Sequence, residues 1–321
     1  MTSRTDAMRR VTQRTFGGPE VLEVVDDVKP APGSGAVLVQ VNAASVNFGE
    51  VNVRAGRVPQ VGTPPFTLGS DLSGTVVEIG EGVSEFKAGD EVYGCIGMGA
   101  YAEYVSVPAA NLALKPEEID HRHAAALPLA GLTAYQALVE SAQLQSADVV
   151  LIHAAAGGVG HLAVQIAKAL GAYVIGTARA VNHPWLRELG ADELVDYTAA
   201  DFTDVVRDSD VVLDLVGGEY GPRSLACLKP NGLLIGAALN PGITAGEADA
   251  RGKRYRWLLV RASREHLEAM SELVRRGSLR AAVQETFQLD ELGRAHRLIE
   301  EGHVTGKVVV IVHPEHEAAR A

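Results

Sequence analysis

The stretch that most constrains this chain is a short apolar run that stops at a glycine turn. Val149-Val-Leu-Ile152 is long enough for a buried strand and too short for a helix. It leads into His153-Ala-Ala-Ala-Gly-Gly-Val-Gly160, and then into Leu162, Ala163, Ile166, Ala167 and Leu170, spaced for one face of a helix. Lys168 in the last turn and Gly171 beyond it are suited to closing that helix. Strand, glycine turn and helix together are the context in which Ala155-x-Gly157-x-x-Gly160 reads as a dinucleotide fingerprint, with Ala155 in place of the first glycine. Lacking a Cβ, Gly157 and Gly158 let backbone amides approach a pyrophosphate, and Gly160 lets the helix lie close on its strand. The helix N-terminus adds partial positive charge.

The downstream pattern supports this reading. Residues 173–177, 193–197, 210–216 and 233–238 are further apolar strand candidates separated by helical or turn-rich segments, the alternation of a doubly wound parallel sheet. The front of the chain differs. Short β-like runs at 21–25, 36–42, 74–79, 91–93 and 102–107 are broken by turns such as Lys29-Pro-Ala-Pro-Gly33 and Gly80-Glu-Gly82, which predicts a small, mostly antiparallel, barrel-like domain. A helical pattern over 121–141, interrupted by Pro128, leads onward. Helices over 264–276 and 290–301 and a strand over 307–312 close the chain, with Asp290 as N-cap and Gly302 as the stop of the last helix.

Composition narrows the function. A chain of 321 residues with 47% hydrophobic content suits two soluble domains. No stretch has the apolar length of a membrane span, and Met1-Thr-Ser-Arg-Thr-Asp-Ala7 lacks a signal peptide's hydrophobic core; Met8 is an alternative start behind a short disordered leader. A net charge of −11 disfavours any broad phosphate-binding surface, so no nucleic-acid partner is expected. The two cysteines, Cys95 and Cys227, fit small buried hydrophobes in a reducing cytoplasm.

The order and spacing of further motifs extend the picture. Asn47-Phe-Gly-Glu50, Leu68-Gly-Ser-Asp-Leu-Ser-Gly74, Phe86-Lys-Ala-Gly-Asp-Glu-Val92, Gly99-Ala-Tyr-Ala-Glu-Tyr104, Leu127-Pro-Leu-Ala-Gly-Leu-Thr-Ala-Tyr135, the 155–168 stretch and Gly302-His-Val-Thr-Gly-Lys307 together resemble the medium-chain dehydrogenases/reductases of the zinc-independent, zeta-crystallin-like quinone oxidoreductase branch, from about Arg9 to Val312. The resemblance implies an α/β architecture: a GroES-like β-barrel catalytic domain over 1–128, completed by 266–321, and a Rossmann nucleotide domain with a doubly wound parallel sheet over 129–265. It also implies a homodimer, with 257–261 at a sheet edge as a plausible seam.

Aligned on these motifs, the zinc ligands of the wider superfamily fall on Asn47, Ser70 and Leu129, so no metal is expected. Among the ten histidines, His121 with His123 and His313 with His316 read as solvated surface. Cofactor choice rests on Thr177-Ala-Arg-Ala-Val-Asn-His183, where no carboxylate appears until Glu188. Arg179 suits a 2′-phosphate, with Tyr197 matching a family tyrosine near the same group, and NADP(H) is the expected cofactor. The resemblance places Asn47 and Thr133 at the nicotinamide as catalytic residues. Ala155, Gly157, Gly158, Val159, Gly160, Thr177, Arg179, His183, Tyr197 and Ala238 complete the expected nucleotide contacts. Arg54, Tyr101 and Arg254 are weaker pocket candidates, and Asn52 stands where several relatives carry a tyrosine, so the resemblance does not carry over a tyrosine proton donor. The expected activity is NADPH-dependent hydride transfer to quinones, enones or other activated C=C or C=O acceptors. An enoyl reductase tailoring a secondary metabolite and an NADPH-binding, crystallin-like or RNA-binding regulatory protein are the alternatives.

Overall fold

The computed structural model describes residues 7–313. The described residues form two units, one of residues 7–129, 262–275 and 281–313, the other of 130–261 and 276–280.

The first unit opens with β1 (Ala7–Thr12) and β2 (Glu23–Val28), an antiparallel pair. Then come β3 (Ala36–Val46), helix α1 (Phe48–Arg54), β4 (Asp71–Ile79), β5 (Glu91–Cys95), β6 (Tyr104–Pro108), β7 (Leu112–Leu114) and the short α2 (His121–Ala125). β3 is the axis of the unit. It pairs antiparallel with β4 along its length and with β6 over its first half, and nearly all of its eleven residues are buried. A Val/Ala-rich run without alternation suits that position, because both faces of the strand meet apolar neighbours. The core gathers Val37, Val39, Val41, Leu72, Val76, Val92 and Leu112.

The second unit follows α3 (Pro128–Tyr135) and its wider π-helical continuation over Gln136–Ser141. It then runs through β8 (Val149–Ile152), α4 (Gly160–Ala169), β9 (Tyr173–Thr177), α5 (His183–Glu188), β10 (Glu193–Val195), α6 (Phe202–Val205), β11 (Ser209–Asp214), α7 (Tyr220–Ser224), β12 (Leu228–Gly236), α8 (Ala245–Asp249) and β13 (Arg254–Trp257). The sheet order is β10-β9-β8-β11-β12-β13, all parallel. The order reverses between β8 and β11, which makes the carboxyl ends of those two strands the switch point where open α/β sheets bind ligands.

The chain then returns to the first unit with α9 (Arg264–Arg275), β14 (Val283–Gln288), α10 (Leu292–Glu301) and β15 (Lys307–Ile311). β15 pairs parallel with β14 and antiparallel with the last residues of β3, Val308 opposite Val46. The first unit is thus a GroES-like β domain completed by the C-terminal segment and the second a Rossmann domain, the architecture the resemblance implies. Residues 276–280 are the exception to a single return: Arg280 donates its backbone N–H to Gln165 Oε1 of α4 at 2.9 Å.

Several local expectations need correction. Asp290 is not an N-cap: residues 289–291 form a single 3₁₀ turn, α10 starts at Leu292, and the Glu291 carboxylate accepts the Gln288 N–H at 3.1 Å. His121 is buried rather than solvated, with Nδ1 2.8 Å from Ser73 Oγ and Nε2 3.3 Å from Glu91 Oε1. His313 is half-buried against the Tyr104 ring, and His316, like the leader before Ala7, lies outside the described residues. Cys95 and Cys227 are buried and unpaired. The sheet edge expected at 257–261 is β13, three residues earlier, and its Arg-Tyr-Arg-Trp sequence is largely exposed. Among the described residues no helix is long and apolar enough to cross a membrane.

Candidate active site

The glycine turn leaves β8 at the switch point and is latched from below. Thr177, at the end of the neighbouring β9, accepts the Ala155 N–H through its carbonyl at 3.0 Å, and its hydroxyl oxygen lies 3.2 Å from both Ala154 N and His153 Nδ1. Expected among the nucleotide contacts, Thr177 is 1% exposed and acts instead as the turn's anchor. His153 packs edge-on against Phe202 and Tyr220, and burial, with Arg223 adding to it, lowers its pKa to about 3, so the ring is neutral.

The substitution of alanine for the motif's first glycine has a local explanation. A Cβ on Gly176 of β9 would come 2.9 Å from the Ala155 Cβ, so the glycine on the adjacent strand supplies the room that Ala155 takes up. Gly160 admits no such exchange: a Cβ there would meet Ala154 O at 2.2 Å and Ala155 Cα at 2.7 Å. α4 can therefore start directly against the turn, and its residues 160–167 are all buried. Gly157 and Val159 are half-buried at the turn's tip, where Gly158 lies between them.

The expected phosphate-reading residues cluster around the ends of β9 and β10. Arg179 is half-buried, and its guanidinium makes no hydrogen bond or ion pair with any described residue. His183 opens α5, and its Nε2–H donates to the Ala178 carbonyl at 3.1 Å. The Asp196 carboxylate, which accepts from the Ala180 N–H of this turn, is held below the usual range mainly by hydrogen bonds from Thr198. Tyr197, the next residue, is partly exposed and lines a cavity of about 290 Å³ with Thr198, Phe202, Tyr220 and Arg223. Ala238 follows β12, and its carbonyl accepts from Trp257 Nε1 at 3.3 Å. Thr133 lies buried on α3.

In the β unit, Asn47 caps α1 at the end of β3 and sits in a buried polar network. Its Nδ2 donates to Glu50 Oε1 at 3.1 Å and to Asp71 Oδ2 at 3.0 Å, and its backbone N–H donates to Glu50 Oε2 at 3.1 Å. Asp71 also accepts from Ser45 Oγ at 2.7 Å and from the Leu129 N–H at 2.7 Å, and Glu50 accepts from the Ser70 N–H at 2.8 Å and from the Tyr101 hydroxyl. Burial raises the Glu50 pKa, opposed by the hydrogen bonds from Tyr101 and Asn47. The cation of the group is Lys307, whose Nζ is 2.5 Å from Asn47 Oδ1 and 3.5 Å from Asp71 Oδ2. Sequence reasoning missed it, although a lone lysine at the head of Val-Val-Val-Ile is a readable signal. Tyr101 and Arg54 are buried, the latter paired with Glu300, and Arg254 lies on the exposed edge strand. Asn52 is spent on the Phe48 carbonyl and Arg57.

Two family models match the chain, "Alcohol dehydrogenase GroES-like domain" over residues 33–117 and "Zinc-binding dehydrogenase" over 189–310. A quinone oxidoreductase of Pseudomonas aeruginosa is 36% identical across 94% of this chain and 99% of its own. This chain belongs to the quinone oxidoreductases of the medium-chain dehydrogenase/reductase family. Among solved structures, the quinone oxidoreductase of Coxiella burnetii is 39% identical with a TM-score of 0.88, covering 95% of this chain and 99% of its own. That of Escherichia coli, solved in complex with NADPH, is 30% identical with a TM-score of 0.88, covering 95% and 100%. The chain is an oxidoreductase of this family.

The second model's description raises the question of zinc, and the donor set does not fit it. The three positions aligned with zinc ligands meet around Asp71 and Glu50 but offer a carboxamide already committed on three sides, a serine whose hydroxyl donates to Gly97 O at 2.9 Å, and an apolar leucine. The neighbouring Cys95 thiol is pushed up to about 12 by burial, with the Asp71 charge adding to it, and so is no thiolate. Among the described residues no three His, Cys, Asp or Glu side chains are grouped to hold a metal.

Proposed function

We propose that this chain is an NADPH-dependent reductase that passes hydride to quinones, enones or other electron-poor C=C or C=O acceptors without zinc. The observation that carries the cofactor choice is Arg179: a guanidinium with no partner among the described residues, at the end of the second strand, where an acid would otherwise read the ribose. Residues 155–160 with Val159 at their tip would hold the pyrophosphate, Arg179, His183 and Tyr197 the 2′-phosphate end, and Asn47, Thr133 and the backbone near Ala238 the nicotinamide end. Bound NADPH supplies the hydride.

The side chains around Asn47 argue for the acceptor class. The Tyr101 hydroxyl is fully buried, and Asn52 is committed to the Phe48 carbonyl, so neither side chain is placed to donate a proton to an acceptor. A quinone or enone spreads incoming negative charge over its own conjugation and takes its proton from water, whereas an alkoxide needs a Lewis acid or a donor. The chain's task is then orientation. We further infer a homodimer built on the exposed β13 edge, a reducing cytoplasmic setting suited to two unpaired cysteines, and a small molecule rather than nucleic acid as partner.

Titration with NADPH and NADH, on the parent and on Arg179→Ala, tests the cofactor reading. A charge-assisted bidentate contact is worth about 1.5–3 kcal/mol, so NADPH affinity falls roughly 10- to 150-fold while NADH binding stays near its parental value. Equal parental affinities for the two cofactors end the proposal.

A further inference from the structure

We propose that Lys307 is a positioning residue for the reductase reaction: its buried ammonium fixes the orientation of the Asn47 carboxamide, and so the group that Asn47 presents. This rests on the reading of Asn47 as a nicotinamide-end residue.

The fold places the pair together. Asn47 follows the last residue of β3, and the register Val308 opposite Val46 sets Lys307 beside it. The Lys307 backbone N–H is fixed by Ala282 O at 2.9 Å. With only 3% of its surface exposed, the lysine is desolvated, a costly placement that needs compensating charge. Asp71, fully buried, supplies it.

The charges also settle which way the amide points. Both Nδ2 hydrogens face carboxylate oxygens, of Glu50 and Asp71, and Oδ1 faces the ammonium. A flipped amide would set Oδ1 against two carboxylates and the NH₂ against the ammonium, unfavourable on three contacts. Remove the ammonium and one of the three contacts disappears, which loosens the hold on Oδ1 and leaves Asp71 short of a counter-charge. Asn47 is 9% exposed, and with both N–H donors spent on carboxylates the only polar capacity it can present is on Oδ1, which faces Lys307 and the Glu50 N–H of the capping box. In the locked state it accepts a hydrogen bond. The group it recognises is therefore a donor, such as a carboxamide NH₂.

The test compares the parent with Lys307→Met, Lys307→Arg, Asn47→Ala and the double variant Asn47→Ala/Lys307→Met. Three quantities are read: kcat and KM with NADPH and 1,4-benzoquinone, NADPH affinity by calorimetry, and fluorescence of bound NADPH. Lys307→Met lowers kcat about 10-fold with NADPH affinity within about twofold of the parent, Lys307→Arg recovers most of the loss, and the double variant is no worse than Asn47→Ala, the signature of residues acting as a unit. If Lys307→Met does not fold, Lys307→Gln makes the same comparison, with loss again expected in kcat and not in affinity. Parental kcat in the folded variant, or additive losses in the double variant, overturns the proposal. Should the parent itself not turn over benzoquinone, the functional reading falls while the bound-NADPH fluorescence still decides. A Lys307→Met spectrum shifted from the parent's at unchanged affinity supports the positioning role; an identical spectrum refutes it.

Discussion

Replacing Gly160 by alanine probes the contact on which the nucleotide turn is built. The added Cβ would stand 2.2 Å from the Ala154 carbonyl oxygen and 2.7 Å from Ala155 Cα, both backbone atoms of a turn pinned by Thr177. Ordinary contact lies near 3.5 Å, so α4 must retreat by about 1 Å. Its residues 160–167 are buried, so retreat disturbs packing along the whole helix. Overpacking of this kind costs about 1–3 kcal/mol, against which a helical Gly→Ala exchange returns up to about 1 kcal/mol. A net loss of roughly 1–2 kcal/mol lowers the melting temperature by about 3–10 °C. Gly157→Val is the contrasting variant: a Cβ there meets only Ala154 O, at 3.2 Å, so the fold survives while the branched side chain obstructs the approach of a pyrophosphate. Calorimetric melting and NADPH titration on both variants separate the effects. A Gly160→Ala protein that melts and binds NADPH like the parent, or a Gly157→Val protein with parental NADPH affinity, refutes the reasoning.

Three further outcomes are expected. Burial lowers the pKa of both His153 and His296 to about 3, below the 6.5 of an unfolded histidine, so the stability of their neutral forms is complete above pH 6.5 and is lost as pH falls towards 3. Neither ring nitrogen of His296 has a hydrogen-bond partner, so His296→Leu should flatten the acid-side fall in melting temperature; an unchanged pH profile would count against this. Exhaustive chelation should leave NADPH-dependent turnover intact, with less than one zinc per chain by elemental analysis, whereas activity lost on chelation and restored by zinc would show the ligands to be elsewhere. Light scattering at micromolar concentration should give the mass of a dimer, and a monomeric mass would dismiss β13 as a seam.

Local pattern made much of the architecture legible. The strand, glycine turn and helix of 149–170 lie within about twenty residues, and hydrophobic period alone sets their order. Thr177 was harder to read, because a residue at the end of a second Rossmann strand can face the ligand or the turn beneath it, and only the register of β8 on β9 decides which. The Asn47 network was least legible: its counter-ion comes from Lys307, 260 positions away, delivered by the antiparallel pairing of β15 on β3. His121 failed for a related reason. Its neighbour Arg122 is exposed and His123 half-buried, yet Ser73 of β4 and Glu91 of β5 draw the His121 ring inward. At the C-terminal helix, Asp290 has the right residue type for a cap, but the 3₁₀ turn places the start of α10 two residues later.

The central claim, hydride transfer from NADPH to an electron-poor acceptor without metal assistance, is tested most directly by one turnover panel. NADPH oxidation is followed with a set of small quinones and α,β-unsaturated carbonyls, and NADP reduction with ethanol and secondary alcohols, on the same preparation. Measurable turnover with at least one quinone or enone, and essentially none with any alcohol, is the predicted result. Alcohols oxidised faster than any quinone or enone is reduced would contradict the account, even with the fold as described.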